Sequence, residues 1–133
     1  MNIRPFDSQL VVRFSDAAVH HVEALDADVQ VGYDGDHKIV DITVRARGGS
    51  KQLDLVSSEK NALGARFSYD PEIDAVAIDA LPETYWDSAE LAPGFVVDYD
   101  VDGFIRGLEF LDASTFFSPQ TMAEIQHRAR LPE

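Results

Sequence analysis

The 133-residue chain contains 24 acidic and 11 basic side chains, which give a formal net charge of −13, and it has no cysteine. A field of this sign repels phosphate backbones and anionic lipid surfaces, so nucleic-acid binding and membrane docking are disfavoured. The missing cysteines exclude disulfides, thiolate nucleophiles and cysteine-ligated zinc. The N-terminus lacks a basic region followed by an apolar stretch, so no secretory signal is expected and the cytoplasm is the predicted compartment.

The first third of the chain reads as a series of β-strands. Ile3–Phe6 predicts a short edge strand, because Pro5 cannot donate a hydrogen bond to a neighbouring strand. Leu10–Phe14 alternates apolar and polar side chains, which is typical of a half-buried strand. The polar segment Ser15–Asp28 is interpreted as a long connection, and Val29–Tyr33 again alternates as a strand does.

The next strand contains an irregularity. Ile39 and Ile42 are three residues apart, so strict alternation would put them on opposite faces of the sheet. One extra residue restores the phase, which predicts a β-bulge near Val40–Asp41. After a polar loop, Leu53–Leu63 allows a short helix that ends at Gly64.

The second half of the chain repeats the first at a constant offset of 66 residues. The best-preserved piece is Val31–Ile39, which is matched by Val97–Ile105. The repeat predicts strands at equivalent places, a polar connection from Leu81 to Gly94, and a second bulge near Arg106–Gly107. Since one copy of about 50 residues buries little surface, two copies that pack together are expected to share a core.

The chain closes with a predicted helix. Ser118 is a favourable N-cap, Pro119 suits the first helical position, and Gln120–Arg130 follows with a narrow apolar stripe. The stripe consists of Met122, Ile125 and Ala129. Phe116 and Phe117, just before the helix, are predicted to dock it onto the core.

These elements predict an α+β fold that is mostly antiparallel β. It comprises two pseudo-symmetric four-stranded modules packed together, a C-terminal helix and a short helix allowed between the copies. Residues 1–64 would form a degenerate first copy, and residues 65–133 the second copy with the terminal helix, together making one compact unit. Such a pseudo-dimer would serve as a monomer or assemble further as a homodimer.

Three motifs in the second half carry a family resemblance. They are the turn Tyr69–Ala75, the segment Pro93–Gly103 and the strand and turn Ile105–Ser114. In these motifs, over about residues 66–114, the chain resembles the small bacterial domain-of-unknown-function family numbered 2283. The resemblance implies a compact β-rich module with no assigned activity, cofactor or catalytic residue. The first half resembles the family only weakly, since it lacks the Pro-Glu turn.

The segment Asp98–Glu109 matches the spacing of an EF-hand calcium loop. Asp98, Asp100 and Asp102 stand at positions one, three and five, and Glu109 stands at position twelve. An EF-hand loop, however, needs a helix on either side, whereas the flanking sequence alternates as strands do. The pattern therefore favours a β-hairpin turn, and a weak divalent-cation site formed by these four residues is the alternative.

Two features could contact a partner. One is an acidic turn at residues 70–74; if it lay at the same end of the sheet as the Asp98–Asp102 turn, the two would form one acidic pole. The other is an aromatic pair in a polar connection, which could anchor an interface or fold back to cap the core. The candidate contact residues are Asp70, Glu72, Asp74, Tyr85 and Trp86.

No pattern of catalytic residues emerges. The serines lack the context of a nucleophile elbow, and no histidines have the spacing of metal ligands. The sequence therefore favours a protein that is not an enzyme and has no cofactor, namely an acidic interaction module that could neutralise a basic partner. Two alternatives stay open: a small-ligand-binding protein or enzyme that uses carboxylates between the copies, and a weakly calcium-stabilised structural domain.

Overall fold

A computed structural model describes residues 8–46, 50–55, 66–79 and 85–130. Within these ranges the chain forms two five-stranded sheets, a 3₁₀ helix and one α-helix. The first sheet, A, contains β1 (Gln9–Arg13), β2 (His21–Asp26), β3 (Val29–Tyr33), β4 (Ile39–Arg45) and β5 (Lys51–Asp54). The second, B, contains β6 (Arg66–Asp70), β7 (Ala75–Asp79), β8 (Tyr85–Ala92), β9 (Phe95–Asp100) and β10 (Ile105–Phe110). The 3₁₀ helix spans Ala113–Thr115 and α1 spans Pro119–Ala129. The predicted α+β class with two packed β modules is confirmed.

The two sheets share a strand order. Sheet A runs β2-β3-β4-β1-β5, and sheet B, read from its β8 edge, runs β8-β9-β10-β7-β6. Adding the offset of 66 to the bounds of β1 gives the bounds of β7. The register agrees as well, since Leu10 lies opposite Val44 in sheet A and Val76 lies opposite Phe110 in sheet B. The repeat found in the sequence therefore corresponds to four equivalent strands in each sheet.

Both predicted bulges are present. The pairing of β3 with β4 shifts register so that Val40 is the extra residue, and the pairing of β9 with β10 shifts so that Arg106 is the extra residue. Each insertion lets apolar side chains on either side of it face the same core.

Within the described residues, each sheet contains an edge strand that the sequence did not predict, and sheet A also contains the unpredicted β5. The segments interpreted as polar connections contain β2 and β8, which lie at one edge of each sheet. The short helix allowed over Leu53–Leu63 is wrong at its start, because Leu53 lies in β5; residues 56–65 lie outside the described ranges. The predicted edge strand at Ile3–Phe6 also lies outside them.

The opposite edges of the two sheets are built differently. In sheet A, β5 follows the repeat and pairs parallel to β1, whereas in sheet B, β6 precedes the repeat and pairs antiparallel to β7. β5 and β6 thus occupy equivalent edge positions in the two sheets, although β5 follows the repeat in the sequence and β6 precedes it.

One cluster of buried side chains contains residues from both sheets and from α1. At its centre Phe14, which follows β1, contacts Phe110 of β10 and Phe117, with ring centroids 6.4 and 4.7 Å apart. Helix α1 packs against β6 with Met122 and Ile125 buried. Its N-cap is Ser118, as predicted, whose side chain accepts a hydrogen bond from the Thr121 amide.

Candidate functional site

The loop with calcium-binding spacing is a β-hairpin turn. Strand β9 enters it and strand β10 leaves it. Oδ1 of the buried Asp100 accepts hydrogen bonds from the backbone N–H groups of Asp102 and Phe104, at 2.9 and 3.0 Å. In sheet A the equivalent Asp34 accepts two such bonds at 2.9 Å. Asp100 thus organises the backbone of the turn.

The four metal candidates separate into two groups. Asp100, the last residue of β9, and Asp102 lie at the turn, whereas Asp98 and Glu109 lie within β9 and β10, on the face of sheet B that points away from the core. Among the residues that the structure describes, no group of three or more His, Cys, Asp or Glu side chains is placed to hold a metal ion.

The outer face of sheet B carries a cluster of charged side chains. Cross-strand register aligns Asp79, Gly107 and Asp98 in one row across β7, β10 and β9. Asp98 is only 6% exposed, and its Oδ1 accepts a 2.8 Å hydrogen bond from the Ser88 hydroxyl on β8. Glu109, opposite Val96, lies in the neighbouring row on the same face.

Burial and the negative charges of this cluster both raise the pKa of the Glu109 carboxyl. Burial raises the pKa of Glu109 to about 7, and the neighbouring Asp98 carboxyl and the negative charge of Asp79 act in the same direction. Arg106, which approaches Asp79 to 3.6 Å, opposes the shift. The sequence pattern selects Asp98 and Glu109 for spacing alone and does not show that they lie on one face of sheet B, where the bulge places both.

A glycine makes room for a carboxylate in each sheet. In sheet B, Gly107 lies opposite Asp98, whereas in sheet A, Gly32 lies opposite Asp41, so the two residue types are exchanged between the strands. A Cβ at Gly32 would collide with the Asp41 carboxylate. Burial raises the pKa of Asp41, against the Gly32 N–H and the charge of Arg13, which lower it.

The acidic turn between β6 and β7 contains exposed and structural carboxylates. Asp70 and Glu72 are exposed. Asp74 accepts hydrogen bonds from the Tyr69 hydroxyl at 2.8 Å and the Ser114 amide at 2.9 Å. Although burial raises the pKa of Asp74, these bonds from Ser114 and Tyr69 outweigh it and lower the pKa below its usual value. Asp74 therefore holds the turn against the end of β10.

The two acidic turns do not form one pole. The β6–β7 turn lies beyond the end of β10 marked by Phe110, whereas the β9–β10 turn lies at its start, next to Ile105. The single acidic pole considered from the sequence is therefore wrong, because β10 separates the two turns along its length.

Trp86 does not cap the core. It lies in edge strand β8 at a register shift between Tyr85 and Asp87, and it is 67% exposed. Tyr85 pairs with Asp100, which brings this end of β8 beside the β9–β10 turn, where Val101 is 65% exposed. The exposed Asp87 and Asp102 flank these two apolar side chains in the sequence. This end of sheet B, comprising Trp86, Asp87, Val101 and Asp102, is called the tryptophan end below.

A hollow of about 200 Å³ lies on sheet B, formed by β6, β7 and β10. Tyr69, Asp70 and Glu109 are among its lining residues. It is formed by the second half alone, so it is distinct from the carboxylate site between the copies that the ligand-binding alternative requires.

Comparison with known families bears on the second half of the chain. Residues 66–114, from β6 into the 3₁₀ helix, match the family described as "Protein of unknown function (DUF2283)". This confirms the resemblance of the second half. No curated protein and no solved structure matches the chain significantly.

In the part of the chain that the structure describes, no helix has both the length and the apolar character that a membrane span requires.

Proposed function

We propose that this protein is a non-catalytic, cytoplasmic interaction module that binds a basic partner through the tryptophan end. The observation that supports this proposal is the 67% exposure of Trp86 at the edge of sheet B, at the end of the sheet that also carries the exposed Val101, Asp87 and Asp102. Trp is among the residues that contribute most to protein–protein binding when an interface buries them.

The chemistry of the partner follows from charge. A net charge of −13 attracts cationic surfaces over long range and accelerates their association. An apolar side chain on the partner would cover Trp86 and Val101, while flanking Lys or Arg side chains would pair with Asp87 and Asp102. The absence of cysteine is compatible with the reducing cytoplasm.

The fluorescence of Trp86 can report binding at this surface directly, since Trp86 is the one tryptophan of the chain. A peptide of alternating lysine and leucine is expected to shift the Trp86 emission on titration, and the apparent affinity should fall as salt is raised from 50 to about 300 mM. The same length of alternating glutamate and leucine serves as the charge control.

The natural partner is identified by quantitative affinity capture with three baits. A basic protein captured by the wild-type chain should be lost with Trp86→Ala, whose cost at a binding hot spot is about 2 kcal/mol, or about thirtyfold in Kd. Ile73→Ala is the matched control, because Ile73 is also exposed but lies in the turn at the opposite end of sheet B. Equal capture by the Trp86→Ala and wild-type baits would refute the proposed surface.

A further inference from the structure

The hollow on sheet B follows from the small side chains of its middle strand. Because alternate residues of a strand face the same side, Ala75 and Ala77 of β7 both point away from the core. Strands β6 and β10 lie on either side of β7 and carry longer side chains in the same rows. Ala77 lies between Ser68 and Glu109, and Ala75 lies opposite Asp70. The two alanines therefore form the floor of a trough along β7, and the neighbouring strands form its walls.

The equivalent places of sheet A hold larger side chains. The offset of 66 relates Ala75 to Gln9 and Ala77 to Val11, both on β1. The strand framework that the two sheets share is thus compatible with larger residues at both positions, and the trough is a feature of the second half alone.

The walls of the hollow combine apolar surface with negative charge. Leu111, which follows β10, is 43% exposed and lines the hollow together with the two alanines. Among the described lining residues the charged ones are Asp70 and Glu109, and both are acidic. The volume of about 200 Å³ is smaller than the roughly 300–1,000 Å³ of pockets that enclose drug-sized ligands. The hollow therefore fits a slender group with an apolar stem and a cationic head.

We propose that the hollow binds the side chain of a lysine that a partner protein presents to the outer face of sheet B. The four-carbon stem of the lysine would lie along Ala75, Ala77 and Leu111. Its ammonium would pair with Glu109 or Asp70, which lie on opposite walls. The hollow lies toward the β6–β7 turn, at the opposite end of sheet B from the tryptophan end, so the inference does not depend on that surface.

The surroundings of Glu109 favour an added positive charge. Burial raises the pKa of Glu109 to about 7, and Asp98 and Asp79 act in the same direction against Arg106. Arg106 approaches Asp79 to 3.6 Å and Arg66 lies opposite Asp79, so both cations lie toward that carboxylate. At pH 8 Glu109 is mostly ionised, and a lysine ammonium, with an ordinary pKa of about 10.4, is still charged. Binding is therefore best measured at pH 8.

Methyl-detected NMR of the full chain tests the inference, because Ala75, Ala77 and Leu111 carry their own methyl probes. A lysine blocked at both termini, N-acetyl-lysine N-methylamide, should shift these signals in a saturable way, with a Kd of about 1 mM for so small a ligand. The norleucine analogue has the same alkyl stem without the ammonium. It should bind about tenfold more weakly, because it cannot form a charged hydrogen bond.

Matched variants separate the floor of the hollow from its charge. Ala77→Leu fills the floor and should abolish binding, whereas Ala24→Leu, at an exposed position of β2 in sheet A, should leave it unchanged. Glu109→Gln should weaken binding about tenfold, while Glu90→Gln, which removes the same charge from edge strand β8, should change it much less. Trp86→Ala should bind the blocked lysine as the wild type does, which distinguishes this site from the tryptophan end.

The absence of a saturable shift would overturn the inference, and so would equal affinity for the norleucine analogue or unchanged binding by Ala77→Leu. If Ala77→Leu fails to fold, the comparison of the two ligands on the wild-type chain decides the question by itself.

Discussion

At the scale of single residues, two glycines with the same backbone conformation are expected to tolerate substitution very differently. Gly94 and Gly103 have φ values of 83° and 84°, a region that L-residues with a Cβ rarely adopt. A Cβ at Gly94 would lie 2.8 Å from the Leu111 carbonyl oxygen, whereas a Cβ at Gly103 would have no heavy atom of the described residues within 4 Å, apart from those of its chain neighbours. Gly94→Ala should therefore lower the free energy of unfolding by about 2 kcal/mol or more, measured by chemical denaturation.

Gly103→Ala is the control for this prediction. This variant should lower the free energy of unfolding only by the strain of placing a Cβ at positive φ, about 1 kcal/mol. His37 occupies the equivalent position of sheet A with a φ of 60°, which shows that a side chain is accepted at this place in the turn. Equal losses for the two variants would mean that the Leu111 carbonyl moves aside and that the close approach is unimportant.

Residue-scale roles were only partly predictable from the sequence. The spacing of Asp98–Glu109 suits a calcium loop and a hairpin equally, because both need a carboxylate that accepts backbone N–H groups and a residue at positive φ. The alternating apolar and polar residues on both sides of the segment favour the hairpin. In the structure, Asp100 is the carboxylate that accepts the backbone N–H groups. The exposure of Trp86 was not predictable, because it depends on a register shift in β8 that the local sequence does not reveal.

At the scale of elements, α1 shows how a helix start can be read from sequence and tested. The Ser118 side chain accepts a hydrogen bond from the Thr121 amide, which satisfies one of the backbone donors that a helix leaves unpaired at its start. Ser118→Ala should reduce the free energy of unfolding by about 1 kcal/mol in denaturant titrations. Ser118→Asp, which retains a capping oxygen, should stay close to the wild type. A loss as large in Ser118→Asp would assign the effect to something other than the cap.

Strands were predictable where burial imposes alternation and were missed where it does not. Strand β1 alternates buried and half-buried residues, and its period of two is visible in the sequence. In β2 nearly every residue is exposed, so no face had to be apolar, and the segment looked like a polar connection. Strand β5 was missed for another reason: a short parallel strand at an edge is defined by its pairing with β1, which is a long-range contact.

At the scale of the whole molecule, the two halves keep a common framework while their surfaces differ. Tyr33 and Tyr99 occupy the same register, opposite Ile39 and Ile105. Tyr33, however, stacks on His37, with ring centroids 4.3 Å apart, whereas Tyr99 lies near the charge of Arg45. Arg45 itself reaches across to sheet B, where it donates to the Gly103 carbonyl at 3.3 Å and lies over the Phe104 ring. That the first half descends from a degenerate copy of the family stays a prediction.

The shared core predicts that the two sheets unfold together. Phe14 in the first half contacts Phe110 and Phe117 in the second, so its loss removes packing from both sheets. Phe14→Ala should cost about 3–5 kcal/mol, a large part of the roughly 5–15 kcal/mol that stabilises a typical domain. Native-state hydrogen exchange measures the opening free energy of individual amides, and the slowest amides of sheets A and B should fall by the same amount in this variant. Val19→Ala, at an exposed side chain, should change neither. If only the amides of sheet A lost protection, the two halves would be separate folding units, and the core between them would contribute little to the stability of sheet B.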